Sequence, residues 1–205
     1  MATSSRVQPG LNIDVTALSA GERLELVKLG AIADNGTPLP YRPADRPRTG
    51  APVPKQAVSA PSVLNEAYHY DRPSSFTRAL TFPIGDVTVL LISGTASVDE
   101  EGETIHVGDF RAQCWRTYRN ISTLLASAGM AWQDIVRTTC YLRDIERDYK
   151  DFNEVRTAFF GWLGLDPLPA STGIQTRLCR EDLLIEIEAI AVARRDARPA
   201  GPGSP

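Results

Sequence analysis

The run Leu183-Leu-Ile-Glu-Ile-Glu-Ala-Ile-Ala-Val192 constrains this chain more than any other stretch. Successive side chains of a strand point to opposite faces, so Leu183, Ile185, Ile187 and Ala189 share one face. Leu184, Glu186, Glu188, Ile190 and Val192 share the other. The first face belongs in a core. The second sets two carboxylates among apolar neighbours and leaves them only partly wet. Two readings stand: two solvated glutamates on an open strand face, or an acid kept in a half-dry site for proton transfer.

The rest of the composition narrows the class. With 205 residues, 42% hydrophobic and 23% charged, the chain is long enough for one domain with a full core and an appendage. A net charge of −3 offers no basic footprint for nucleic acid. No apolar run approaches the roughly 20 residues that span a bilayer. The opening MATSSRVQPGLNID lacks the charged-then-apolar order of a secretory leader. Cys114, Cys140 and Cys179 are odd in number and outside C-x-x-C spacing, the pattern of reduced thiols in a cytoplasmic protein. His69 and His106, the only histidines, stand far apart without a cysteine or carboxylate cluster, so no metal site is expected.

Residues 1–65 read as a Pro-rich N-terminal arm with one short helix over 20–29, capped by Ser19 and Glu22 and ended by Gly30. Its later part is too rich in Pro and Gly to sustain a helix or an inner strand. Residues 66–195 read as the domain proper, and 196–205 as a disordered tail. FTRALTFP and VTVLLISGTAS form two strands around a Gly85-Asp86 turn, and a short hairpin turns at Glu101-Gly102. A helix runs from its N-cap Asp109 to Gly129, with Cys114, Tyr118, Ile121, Leu125 and Ala128 at helical spacing. IVRTTCYLRD is the third strand. A second long helix covers 146–163 with Phe152, Val155, Phe159 and Trp162 inward, and strands follow at about 170–178 and 183–194. The order β-β-α-β-α-β-β is an α+β arrangement with two helices on one face of a sheet. Its other face carries Leu184, Ile190 and Val192, and a second copy of the chain is expected to cover it.

Three of these segments carry a resemblance. ISGTAS at 92–97, DIVRTTCYLRD at 134–144 and IEIEAIAV at 185–192, with the stretch from Asn153 to Phe160, resemble the RidA/YjgF (endoribonuclease L-PSP) superfamily over about residues 76–194. The resemblance implies a chorismate-mutase-like fold, a homotrimer around a central β-barrel, and active sites in the clefts between subunits. It places the family's catalytic glutamate on Glu186, its substrate-lining pair on Ser93 and Gly94, its helix asparagine on Asn153 and its first-strand aromatic on Phe76. Deaminases of 2-imino acids carry an arginine after Pro-Ala, which grips the substrate carboxylate in a bidentate pair. Here Ser171 stands there, and a hydroxyl cannot replace a guanidinium.

CREDLLIEIE at 179–188, SFTRA at 75–79 and HVGD at 106–109 also resemble the catalytic half of chorismatases, which hydrolyse an enol-pyruvyl ether without metal or cofactor. That resemblance makes Glu186 the acid/base and sets Cys179 at the site. Arg156, one helical turn beyond Asn153, is the first candidate for the missing carboxylate clamp, and Arg78 the second. Residues 1–65 are too short and too Pro-rich to form the N-terminal domain of those enzymes.

Burial and the like charge of Glu188 both raise the pKa expected for Glu186, and each two units cost about 2.7 kcal/mol. Glu188 itself reads as structural. Cys179 has no histidine placed to activate it, so packing or substrate contact is expected. Tyr68-His69-Tyr70 lies either across the cleft or on the surface, and Trp115, Arg116 and Arg119 read as a solvated helix face. The expected function is cofactor-free hydrolysis of an enol-ether, enamine or imine bond in a small carboxylated metabolite, by a homotrimer with no nucleic-acid or membrane partner. The alternative is a non-catalytic ligand-binding trimer. The acidic charge argues against a ribonuclease.

Overall fold

The computed structural model describes residues 11, 13–41, 50–70 and 73–195, and the expected 196–205 tail lies outside them. The chain divides into two compact units, residues 1–52 and 53–205. In the first, Ser19 and Glu22 close a capping box on α1 (Ala20–Leu29) through hydrogen bonds of 2.7 and 3.2 Å, and Gly30 ends the helix at φ 73°. Only glycine holds that left-handed conformation at little cost.

The division falls earlier in the chain than residue 65. Residues 53–65 belong to the second unit, where Val58, Ala60, Val63 and Leu64 are buried in its core. They include a three-residue edge strand, β1 (Gln56–Val58), which fits between Pro54 and Pro61. β2 (Ala79–Ile84) and β3 (Val87–Ala96) form a hairpin around Gly85 at φ 57°. α2 (Phe110–Ser127), β4 (Ile135–Leu142), α3 (Ile145–Leu163), β5 (Ala170–Gln175) and β6 (Ile185–Arg194) follow. Asp109 and Asp144 cap the two long helices, each carboxylate accepting from a backbone amide at 3.0 Å.

The six strands lie in the order β1-β2-β3-β6-β4-β5. Only β4 and β5 run parallel, because α3 carries the chain back between them. On β6, Ile185, Ile187, Ala189 and Ala191 are buried in one cluster with Leu90, Ile92, Cys140, Leu142 and the inner residues of α2 and α3. At its centre Tyr118 stacks on Phe159 with centroids 4.5 Å apart, and Trp132 meets Phe159 edge-on at 5.0 Å. The opposite face of the sheet carries the alternate side chains of the same strands. There the register aligns Leu80 with Leu91 and Ile190, and Phe82 with Val89 and Val192.

Three details depart from expectation. Trp162 is 80% exposed, because Phe160 and Trp132 fill the inner corner and leave Trp162 stacked on Phe159 from outside at 6.1 Å. Arg116 is buried rather than solvated, donating to the carbonyls of Val98 at 3.2 Å and Val63 at 2.7 Å. Leu184 precedes β6 and packs against the core cluster, so it is not part of the open face. Among the described residues no helix is long and apolar enough to cross a membrane.

Candidate active site

The site is built where β3 breaks step with β6. Their pairing shifts register between Ile92 and Thr95, which places Ser93 and Gly94 in a bulge. A Cβ on Gly94 would lie 2.9 Å from the Glu186 carboxyl carbon, closer than real side chains approach. The glycine therefore makes room for the acid itself. Burial pushes the Glu186 carboxyl above the ordinary range, and the like charge of Glu188 adds to this. The Arg78 charge and a contact with Cys179 oppose the shift without cancelling it. A raised pKa makes the protonated form easier to reach, and a carboxyl used as an acid in one step can serve as the base in the next.

Arg78, just before β2, is only 6% exposed. Its Nε donates to the Asn65 carbonyl at 2.9 Å, and a guanidinium nitrogen donates to the Tyr70 hydroxyl at 2.7 Å. Its Cζ lies 5.2 Å from the Tyr70 ring centroid and 5.3 Å from that of Phe76. Ser93 does not present a free hydroxyl: its Oγ donates to the Thr77 carbonyl at 2.8 Å, and its amide donates to the Arg78 carbonyl at 3.0 Å. The Ser93-Gly94 bulge thus holds the Arg78 backbone against Glu186.

The loop before β6 brings in Cys179, whose Sγ lies 3.9 Å from Glu186 Oε2. The thiol is exposed, and the loop around it is tied down. Arg143 Nε donates to the Leu183 carbonyl at 2.6 Å, Gln113 donates to the Asp182 carbonyl at 2.9 Å, and Thr104 Oγ1 meets the Asp182 carboxylate at 3.0 Å. Arg180 donates to the Gly102 carbonyl.

Arg156 and Asn153 form a second group. On α3, Arg156 donates to the Asn153 side chain, and its other nitrogen meets the Ser171 hydroxyl at 3.2 Å. Its Cζ lies 4.8 Å from the Phe152 ring centroid. Ser171 also accepts from Thr138 at 3.0 Å and neighbours Cys140 at 3.9 Å, both buried on the helix side of the sheet. A groove of about 430 Å³ opens beside it, lined by Arg156, Phe160, Leu168 and Ser171 among others. Glu186 lies on the other face of the sheet, with β4 between β6 and β5. One copy of the chain therefore brings Glu186, Gly94, Ser93, Arg78, Phe76 and Cys179 together, and holds Arg156 and Asn153 apart from them.

Tyr70, Asn65 and Glu66 complete the first group and were not singled out by the sequence as partners of Arg78. Glu66 is 4% exposed; its Oε2 accepts from the Arg78 amide at 3.1 Å, Oε1 has no hydrogen-bond partner, and burial raises its pKa. The aromatic run Tyr68-His69-Tyr70 signalled contact without naming a target. Among the described residues, no three His, Cys, Asp or Glu side chains converge as metal ligands do.

Residues 75–193 match the family model described as Endoribonuclease L-PSP. A RutC family protein of Pyrococcus abyssi is 32% identical over 123 residues, covering 57% of this chain and 93% of that protein. The 3-aminoacrylate deaminase RutC of Acinetobacter baylyi is 32% identical over 103 residues, 50% of this chain and 78% of the enzyme. Among solved structures, the YjgF gene product of E. coli aligns with a TM-score of 0.55 and 26% identity, over 68% of this chain and 99% of that one. The span matched by the family model contains the bulge, Arg78, Cys179 and Glu186. This chain belongs to the endoribonuclease L-PSP family, within the RidA/YjgF superfamily.

Proposed function

We propose that the chain is a cofactor-free hydrolase of small carboxylated metabolites, with Glu186 as acid/base, acting on an enamine, imine or enol-ether bond. The observation that carries this is the Glu186 carboxyl packed over Gly94, raised in pKa by burial, with one guanidinium beside it. The likeness to a 3-aminoacrylate deaminase supports it, because 3-aminoacrylate is an enamine bearing a carboxylate.

For such a substrate the chemistry balances with one acid. Protonated Glu186 delivers its proton to the enamine carbon next to the carboxylate, and the nitrogen lone pair closes an iminium. Water adds to the iminium carbon while the Glu186 carboxylate takes its proton. Glu186 then passes that proton to the carbinolamine nitrogen and takes the hydroxyl proton as the C–N bond breaks, so ammonia leaves, the carbonyl forms and the acid is restored.

The substrate carboxylate needs a cation. Arg78 supplies one within the same chain. Arg156 is the other candidate anchor: its contact with Ser171 puts a guanidinium beside the position where the resemblance implies the deaminase arginine. Since Arg156 and Glu186 lie on opposite faces of one sheet, a site using both draws them from different copies. This fits a homotrimer with its sites between subunits. Ser93, Gly94, Phe76 and Cys179 form the wall.

Glu186→Gln is expected to abolish turnover across a panel of enamines, imines and enol ethers while the assembly stays intact by light scattering. Retained turnover assigns the proton transfer elsewhere. Ser171 itself favours the second reading, a non-catalytic binder. That reading wins if every substrate survives the wild-type protein while one of them raises its melting temperature.

A further inference from the structure

Glu186 has one cation beside it, yet the two form no ion pair within 4.0 Å among the described residues. The reason lies in what holds Arg78. Its Nε and the Tyr70 hydroxyl both donate to the Asn65 carbonyl, each at 2.9 Å, and the hydroxyl in turn accepts from the guanidinium at 2.7 Å. The three groups form a closed ring of hydrogen bonds. Tyr70 is itself fixed, since a Cβ on Gly102 would lie 2.7 Å from three of its ring carbons. That backbone is tethered by Arg180, from the loop that carries Cys179. Asn65 and Tyr70 lie ahead of the 75–193 span matched by the family model. The restraint thus joins residues ahead of that span to Arg78, Gly102 and Arg180 within it.

We propose that Tyr70 is a positioning residue of this site: its hydroxyl keeps the Arg78 guanidinium on the Asn65 carbonyl and off the Glu186 carboxylate. The cation remains near enough to receive a substrate anion and does not quench the acid. This rests on the reading of Glu186 as acid/base. The other groups facing Glu186 are Cys179 from the loop before β6, Glu188 along β6 and Tyr141 across β4, with Glu66 behind Arg78. None of them is touched by replacing Tyr70 with phenylalanine, which keeps the ring against Gly102.

The test is a carboxyl ¹³C NMR titration of the full chain, with the Glu186 signal identified by its loss in Glu186→Gln. In Tyr70→Phe the freed guanidinium is expected to close on Glu186 and lower its midpoint by about one unit or more. Adding Arg78→Met to that variant should return the midpoint to that of Arg78→Met alone. A Tyr70→Phe midpoint equal to wild type overturns the proposal, even if the melting temperature falls. Should Tyr70→Phe not fold, Arg78→Met decides. Removing a guanidinium held away raises the midpoint by less than about one unit, whereas removing an ion-pair partner raises it by about 1–3 and overturns the idea. Turnover by Glu186→Gln would sink the catalytic reading and leave this titration untouched, so the two failures are separable.

Discussion

Glu186 is a carboxyl whose proton the fold holds more tightly than the unfolded chain does, and this has a thermodynamic sign. Its folded-state pKa is raised, chiefly by burial. The native state therefore binds the proton more tightly than the unfolded chain does. The stability this represents is fully present below the unfolded value near 4.5 and is lost as pH rises through the folded pKa. Glutamine carries no such charge. Glu186→Gln should match wild type in acid and melt progressively higher than wild type as pH climbs through that window. A melting difference that does not grow with pH would mean the carboxylate is well solvated. The residue-level logic was partly legible in the sequence, because strand alternation put Glu186 among apolar neighbours. What it could not show is that Gly94 yields its Cβ space to this carboxyl, or that Ser93 spends its hydroxyl on a backbone carbonyl. Those facts depend on a register shift between two strands more than 80 residues apart in the chain.

At the scale of elements, the long helices show which signals travel well. Asp109 is a local cue and caps α2 in the structure, while Asp144 and Gly164 stand at the two ends of α3. Asp144→Ala removes the acceptor for the Arg147 amide and should cost about 1 kcal/mol. In a unit of this size that is a fall of roughly 2–4 °C in Tm by calorimetry. An unchanged Tm would show that water serves the helix end equally well. Helical spacing carried Phe152, Val155 and Phe159 correctly to the inside but also Trp162, which lies outside. Periodicity records that a face is apolar, not how many rings fit beneath it; the corner was already filled by Tyr118, Trp132 and Phe160. The edge strand β1 escaped notice for a similar reason. A strand of three residues pairs only with β2 and contains no proline, so the surrounding prolines said nothing against it. Arg116 shows the limit from the polar side: a helix charge that looks solvated is bound by two carbonyls from distant loops.

For the whole molecule, the open sheet face and the separation of Arg156 from Glu186 argue in the same direction. Leu91, 39% exposed, sits in register with Leu80 and Ile190 at the middle of that face. Leu91→Arg should convert the proposed trimer to smaller species by light scattering and remove activity with it, because a charge cannot be buried unpaired between subunits. Trp162→Ala, on the helix side, should leave the assembly unchanged. A Leu91→Arg protein that keeps the wild-type mass would place the contact elsewhere.

β5 adds a final consequence. All six of its residues, Ala170-Ser-Thr-Gly-Ile-Gln175, are exposed; it bears no charge and pairs on one side only, with β4. Natural sheets usually blunt such a margin with lysine, proline or a twist. Here the outer row of amides and carbonyls is left ready to recruit any extended peptide. If the proposed trimer forms, a copy still on its own carries this bare margin longest, so slow assembly favours strand addition and aggregation.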